Sequence, residues 1–141
     1  MAINSGKVVS GGLLAGLVMN VFDMLWNYTL LADDMKEMID RMHLDPALMT
    51  DFSKAIPWIV IDFVLGVLTV WTYAAMRPRF GAGAKTAILA GMVPFVGITA
   101  VLYGFTAMGV FTMGMFVKSS CLAIVSMALG SVAGAWAYKE N

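Results

Sequence analysis

The sequence predicts an all-α integral membrane protein: a bundle of four transmembrane helices with an amphipathic segment beside it. Three observations predict this. Hydrophobic residues make up 60% of the 141 and charged residues only 13%, with a mean hydropathy of +0.83, far above ordinary soluble domains. Four windows, about 8–31, 56–76, 86–109 and 117–138, reach the roughly 20 apolar residues that a helix needs to cross a bilayer. The charges gather mainly between those windows. At this length the chain forms one transmembrane domain over 1–141.

The first window is longer than the apolar core of a signal peptide and lacks a small-residue cleavage site before its acidic flank, so it is expected to be kept. It carries Gly12-xxx-Gly16, a spacing that lets two helix backbones approach closely. An outer segment follows at about 33–50. Met35, Met38, Ile39 and Met42 recur there at helical spacing, with Asp34, Glu37, Asp40 and Arg41 largely on other faces. This predicts a short amphipathic helix lying on the membrane or on the bundle. Asp45-Pro46 ends that helix or starts another, because the residue before a proline disfavours helical geometry.

The second and third windows are joined by a short basic connection from Arg77 to Lys85 that contains no acid. Arg77, Arg79 and Lys85 are candidate anchors for anionic headgroups. In the third window Pro94, between Gly91 and Gly97, should kink or loosen the helix. The fourth carries a second close-packing pattern, Ser126-xxx-Gly130-xxx-Gly134, and the lone Cys121, which forms no internal disulfide and reads as a small packing residue.

Lysine and arginine placement sets orientation. Lys7, Lys139 and the Arg77–Lys85 connection lie on one side, while six acids from Asp33 to Asp51 lie between the first two windows. By the positive-inside rule both termini face the cytoplasm. Trp26, Tyr28 and Trp58 then fall near the outer boundary, and Trp71, Tyr73, Trp136 and Tyr138 near the inner one, where amphipathic rings are favoured.

The two halves also echo one another. Leu14-Ala15-Gly16, Val18, Val21 and Tyr28 match Leu89-Ala90-Gly91, Val93, Val96 and Tyr103 at one offset, and Trp71 and Tyr73 match Trp136 and Tyr138 at a shorter one. This reads as two duplicated helical hairpins. The repeat breaks at polar positions: Asn20, Asp23 and Asn27 correspond to Phe95, Ile98 and Leu102, and Asp62 to Met127. One polar site is expected, not two.

Candidate function rests on those residues. Asn20, Asp23 and Asn27 are spaced three and four apart and share a helix face. Asp62 lies at similar depth in the second window, and Lys118 starts the fourth, so an Asp–Asp–Lys cluster with two amides is expected in the outer half of the bilayer. A charge near the bilayer centre costs at least about 2.5–3.5 kcal/mol, so such an acid has a partner or a task. Three readings stay open: polar glue between helices, a proton-exchange or cation-binding centre, and a face for a partner subunit. Thirteen methionines suggest a further site. Met35, Met38, Met42 and His43 suit Cu(I), although the same stripe is what a membrane-facing helix would show. His43 is a weak candidate ligand for a haem or pigment.

The excluded classes are informative. There is no phosphate loop, CxxC, CxxCH or HExxH, and one His with one Cys assembles no nucleophilic triad or multi-histidine centre. The expectation is a non-enzyme with no required cofactor. Net charge is zero and no basic cluster suits nucleic acid.

Ala74-Ala75-Met76-Arg77-Pro78-Arg79-Phe80-Gly81, running through Lys85-Thr86-Ala87 to Ala90-Gly91, resembles a motif in small four-helix bacterial membrane proteins, and Gly11–Val18 resembles their first span. The likeness covers most of the chain. It implies a bacterial inner-membrane protein and transfers no activity, ligand or catalytic residue. The expected role is an accessory or scaffold subunit of a larger membrane complex or homo-oligomer, embedded in the lipid bilayer. A small proton- or cation-coupled transporter or channel is the alternative, and copper or cofactor binding the weaker one.

Overall fold

In a computed structural model that describes residues 3–139, the chain is helical almost throughout, and no strand occurs among the described residues. The helices are α1 (Ser5–Tyr28), α2 (Ala32–Met42), α3 (Ala47–Thr50), α4 (Ile56–Phe80), α5 (Ala84–Ala107) and α6 (Met113–Ala137), with one 3₁₀ turn at Phe52–Lys54. The four long helices are each apolar enough to cross a membrane, so this is a multi-pass membrane protein built as an all-α bundle. Helix α1 packs between α4 and α6, and α5 completes the ring between the same two neighbours.

Local chemistry sets the ends. The Asn4 side chain accepts from the Lys7 amide at 3.1 Å and caps α1. Pro57 sits in the first turn of α4, where a missing N–H costs nothing. Thr112 caps α6 by accepting from the Met115 amide at 3.1 Å. Glycines with φ of +82° turn the chain at Gly81 and Gly109, a backbone region that side chains rarely tolerate.

One expectation changes. The second helix does not stop at residue 76 but runs to Phe80, so Arg77, Pro78 and Arg79 lie on it and only residues 81–83 form the connection. Pro78 falls in the last turn, and Gly81 still donates to the Arg77 carbonyl at 2.9 Å, so the helix closes normally beyond the proline. Pro94 also lies inside an α5 that stays helical on both sides of it.

The amphipathic helix rests on the bundle. Ile39 is 4% exposed, and Met35 and Met38 are half-buried. Arg41 donates to the Gly109 and Val110 carbonyls, both at 2.7 Å, and Lys118 pairs with Asp34. These contacts strap α2 across the turn between α5 and α6. Helix α2 ends at His43, whose φ of +53° lets the Leu44 amide bond back to the Ile39 carbonyl at 2.9 Å. This is a Schellman-type cap with histidine where glycine is usual.

Without a hydrophobic drive between helices in lipid, close approach must supply the packing energy. Both predicted small-residue patterns do so, and both act within the chain. A Cβ on Gly12 would lie 2.5 Å from the Val67 Cα, and one on Gly16 would lie 2.7 Å from the Phe63 Cα. On the α6 side, a Cβ on Gly130 would come within 2.9 Å of the Ala15 carbonyl oxygen, and Gly134 lies against Gly11. Gly66 completes the set by abutting the backbone of Gly12 and Gly16. The dense core therefore occupies the half of the bundle nearest the termini, and from Met92 onward α5 contributes no buried residue.

The two hairpins repeat this packing. The offsets that align Tyr28 with Tyr103 and Tyr73 with Tyr138 also carry Gly16 onto Gly91 and Gly66 onto Ser131. Gly16 touches Gly66, and Gly91 touches Ser131. Tyr73 and its counterpart Tyr138 meet edge to face, 6.2 Å apart at 88°.

The contrast between occupied and open glycines is testable. Gly12→Ala forces a methyl into the α4 backbone and should destabilise the bundle by about 1–3 kcal/mol. Gly97→Ala and Gly104→Ala point at open space and should stay within about 1 kcal/mol of the parent. Reversible unfolding in mixed micelles measures both, and equal effects would contradict this account of the core.

Candidate functional site

The register of α1 against α4 builds the site. Gly12 meets Val67, Gly16 meets Phe63, and the Asn20 amide donates to the Ile59 carbonyl at 3.2 Å. The helices run antiparallel, and side chains lean toward the N-terminus of their own helix. Asp23 on α1 therefore leans toward the termini, whereas Asp62 on α4 leans away from them. The two side chains lean toward one another, and Asp62 lies within range of the Asp23 charge. Both side chains are half-buried.

A third helix closes over them. Ser126 on α6, 2% exposed, hydrogen-bonds to the Asp23 carboxylate. The Trp26 indole Nε1–H, one turn along α1 from Asp23, donates to the same Ser126 hydroxyl oxygen at 3.0 Å. Phe22 supports the indole, with ring centroids 5.7 Å apart. The indole occupies an acceptor site on Ser126, whose single hydroxyl proton faces both the Leu122 carbonyl, 3.4 Å away on its own helix, and the Asp23 carboxylate. Asn20 forms the floor: it is 6% exposed, and its amide donates to the Gly16 carbonyl at 2.9 Å as well as to Ile59. Asp62 accepts no hydrogen bond from the described residues.

Two residues expected in the cluster lie elsewhere. Asn27 is exposed and bonds back to the Asp23 backbone carbonyl at 2.8 Å, a helix-internal contact. Lys118 is held at the α2 end by the Asp34 carboxylate and the Leu30 carbonyl. Its flexible stem follows the acid that α2 brings beside it, and the exposed Lys118 end of the pair keeps the desolvation cost low. Among the described residues no cationic side chain pairs with Asp23 or Asp62.

Conversely, sequence reasoning placed Trp26 at the interface and Ser126 in a packing stripe. Trp26 lies three residues after Asp23 and so shares its face, and Ser126 is the polar member of its small-residue pattern. Those were the available signals, but the pairing across α1 and α6 needed the fold.

The remaining candidates are dispersed. Met35 and Met38 turn into the bundle, whereas Met42 and His43 are exposed and His43 serves the α2 cap. Arg77 stacks over Tyr138, 6.0 Å from the ring centroid, while Arg79 and Lys85 are exposed at the same end. Cys121 is exposed on α6.

Chemically, the site offers two carboxylates, a hydroxyl and an amide. These are hard oxygen donors suited to a proton, a hard cation, or an ammonium or guanidinium group. Comparison of the chain with protein-family models, with curated proteins and with solved structures found no match.

If the indole, hydroxyl and carboxylate form one network, Trp26→Phe and Ser126→Ala should be non-additive. A double-mutant cycle of unfolding in micelles should give a coupling of about 0.5–1.5 kcal/mol. Simple additivity would mean that the indole stabilises the bundle by packing alone.

Proposed function

We propose that this protein is a non-catalytic accessory subunit of a bacterial inner-membrane assembly, with both termini in the cytoplasm. The observation that carries the reading is the Asp23–Asp62 pair, two converging acids with no cationic partner among the described residues. Intramembrane acids are costly and are usually offset by an opposite charge. A lysine or arginine on a neighbouring subunit's transmembrane helix would provide it. The loosely packed half of the bundle, where α5 has no fully buried residue beyond Gly91, leaves room for such a neighbour. The cytoplasmic placement rests on Lys7, Arg77, Arg79, Lys85 and Lys139, which collect at the end bearing the termini.

The second reading is a small proton- or cation-coupled transporter. Convergence of Asp23, Asp62, Ser126 and Asn20 supports a cation site. The dense core beneath weighs against a through-path, since Ala15, Val70, Ala87 and Ala90 have no exposed surface.

Native mass spectrometry of gently extracted complexes separates the two. For an accessory subunit, the wild type should carry other membrane subunits at fixed stoichiometry. A folded Asp23→Asn/Asp62→Asn variant should lose them. If both proteins are recovered alone and the wild type passes protons or sodium in proteoliposomes while the variant does not, transport replaces the proposal.

A further inference from the structure

The segment between α2 and α4 has an apolar surface that nothing in the bundle covers. Helix α2 has turned its own apolar face inward, so it is not the element that meets lipid on this side. After the His43 cap, however, Leu44, Leu48 and Phe52 are exposed, Phe52 by 60%. This strip runs directly into the exposed outer face of α4, beginning at Ile56 and at Trp58, which is 66% exposed. Since α4 is a membrane-spanning helix, that face meets lipid, and the apolar strip is continuous with it.

Two aspartates mark the other side of the same segment. The Asp45 carboxylate accepts from the Ala47 amide, and the Asp51 carboxylate from the Ser53 amide, both at 2.9 Å. Hydrogen bonds from the Ser53 hydroxyl and amide hold Asp51 below the usual carboxylate range, so it stays charged at neutral pH and must remain wetted. A segment with leucines and phenylalanine exposed, and with ionised caps that cannot leave water, fits neither the aqueous phase nor the acyl core. It fits the boundary between them, where interfacial elements settle about 5–10 Å deep. Trp58 occupies the level expected of an interfacial anchor.

We propose that residues 44–52 form an interfacial arm lying in the headgroup–acyl boundary of the leaflet at the α2 end. Leu44, Leu48 and Phe52 enter the acyl region, and Asp45 and Asp51 stay among headgroups and water. The arm fixes the depth of α4 and therefore the depth at which Asp62 sits. This inference does not depend on whether the acids serve a partner subunit or a transported cation.

Spin-label accessibility tests it on the full chain in vesicles of phosphatidylcholine and phosphatidylglycerol. Nitroxides are placed at Leu48→Cys and Phe52→Cys in a Cys121→Ala background. Glu37→Cys serves as the aqueous reference and Val60→Cys as the lipid reference, all four positions being surface-exposed. Collisions with oxygen should exceed those with a soluble nickel chelate at positions 48 and 52, giving ratios between the two references. Ratios equal to that of Glu37 would put the arm in water and overturn the proposal. Protection from both quenchers would mean that protein covers the strip, which overturns it equally. Leu44→Cys repeats the measurement should either label disturb folding.

Discussion

The structure depends on the contact that Gly12 and Gly16 make with Gly66 across α1 and α4. Here backbone meets backbone with no room for a single added carbon. In lipid, where apolar burial contributes little between helices, such proximity replaces the hydrophobic effect as the source of cohesion. It also fixes a register. Once Gly16 lies against Phe63 and Asn20 reaches the Ile59 carbonyl, the opposite lean of the two side chains leaves Asp23 and Asp62 no alternative but to converge. The glycines thus position the acids without touching them.

The repeated hairpin explains why there is a single site. At the end bearing the termini, equivalent residues make equivalent contacts, and Tyr73 meets Tyr138 where the halves join. Toward the α2 end the equivalence fails by residue chemistry. Met127 stands where Asp62 would be repeated; it is buried, and its sulfur receives the Thr69 hydroxyl at 3.8 Å. One half fills its interior with a thioether, and the other keeps a carboxylate there. A pliable apolar side chain closes a gap, whereas a charge holds one open for a counter-charge or water. The asymmetry is thus concentrated in a few side chains, while the small-residue contact of Gly16 with Gly66 recurs between Gly91 and Ser131.

The sequence carried the spans because membrane helices are written in composition, which needs no knowledge of neighbours. The helix ends were less legible. The second window was drawn to end at residue 76, yet α4 runs on through Pro78 to Phe80, and the Gly81 amide bonding to the Arg77 carbonyl closes the helix beyond the proline. Asp23 and Asp62 were visible as charges in apolar windows, but rise per residue placed them at one depth, whereas the helix register sets their backbones at different levels and the opposite lean of the side chains narrows the gap. Lys118 was assigned to them by depth alone. Depth says nothing of which acid a flexible side chain finds first, and α2 delivers Asp34 to it. The network from Trp26 through Ser126 to Asp23 was invisible for the same reason: it spans two helices a hundred residues apart in sequence.

The distribution of positive charge then bears on what the acids are for. At the α2 end, Arg41 satisfies the carbonyls of the turn after α5 and Lys118 neutralises Asp34, both strapping α2, while Lys36 and Lys54 are exposed and pair with neither Asp23 nor Asp62. Arg77, Lys7 and Lys139 lie at the opposite end, beyond the dense core. No rearrangement of rotamers carries those cations through a layer of fully buried alanine and valine. Among the described residues no cation pairs with Asp23 or Asp62, and under the proposed reading a positive charge comes from outside, through the loosely packed half of the bundle or laterally from lipid. A partner helix and a mobile cation both satisfy this requirement, but they differ in permanence. A helix would bury the pair for the life of the complex. A cation would come and go past Trp26, whose indole closes over the hydroxyl that Asp23 uses. That hydrogen bond stabilises a covered pair, which favours the permanent partner.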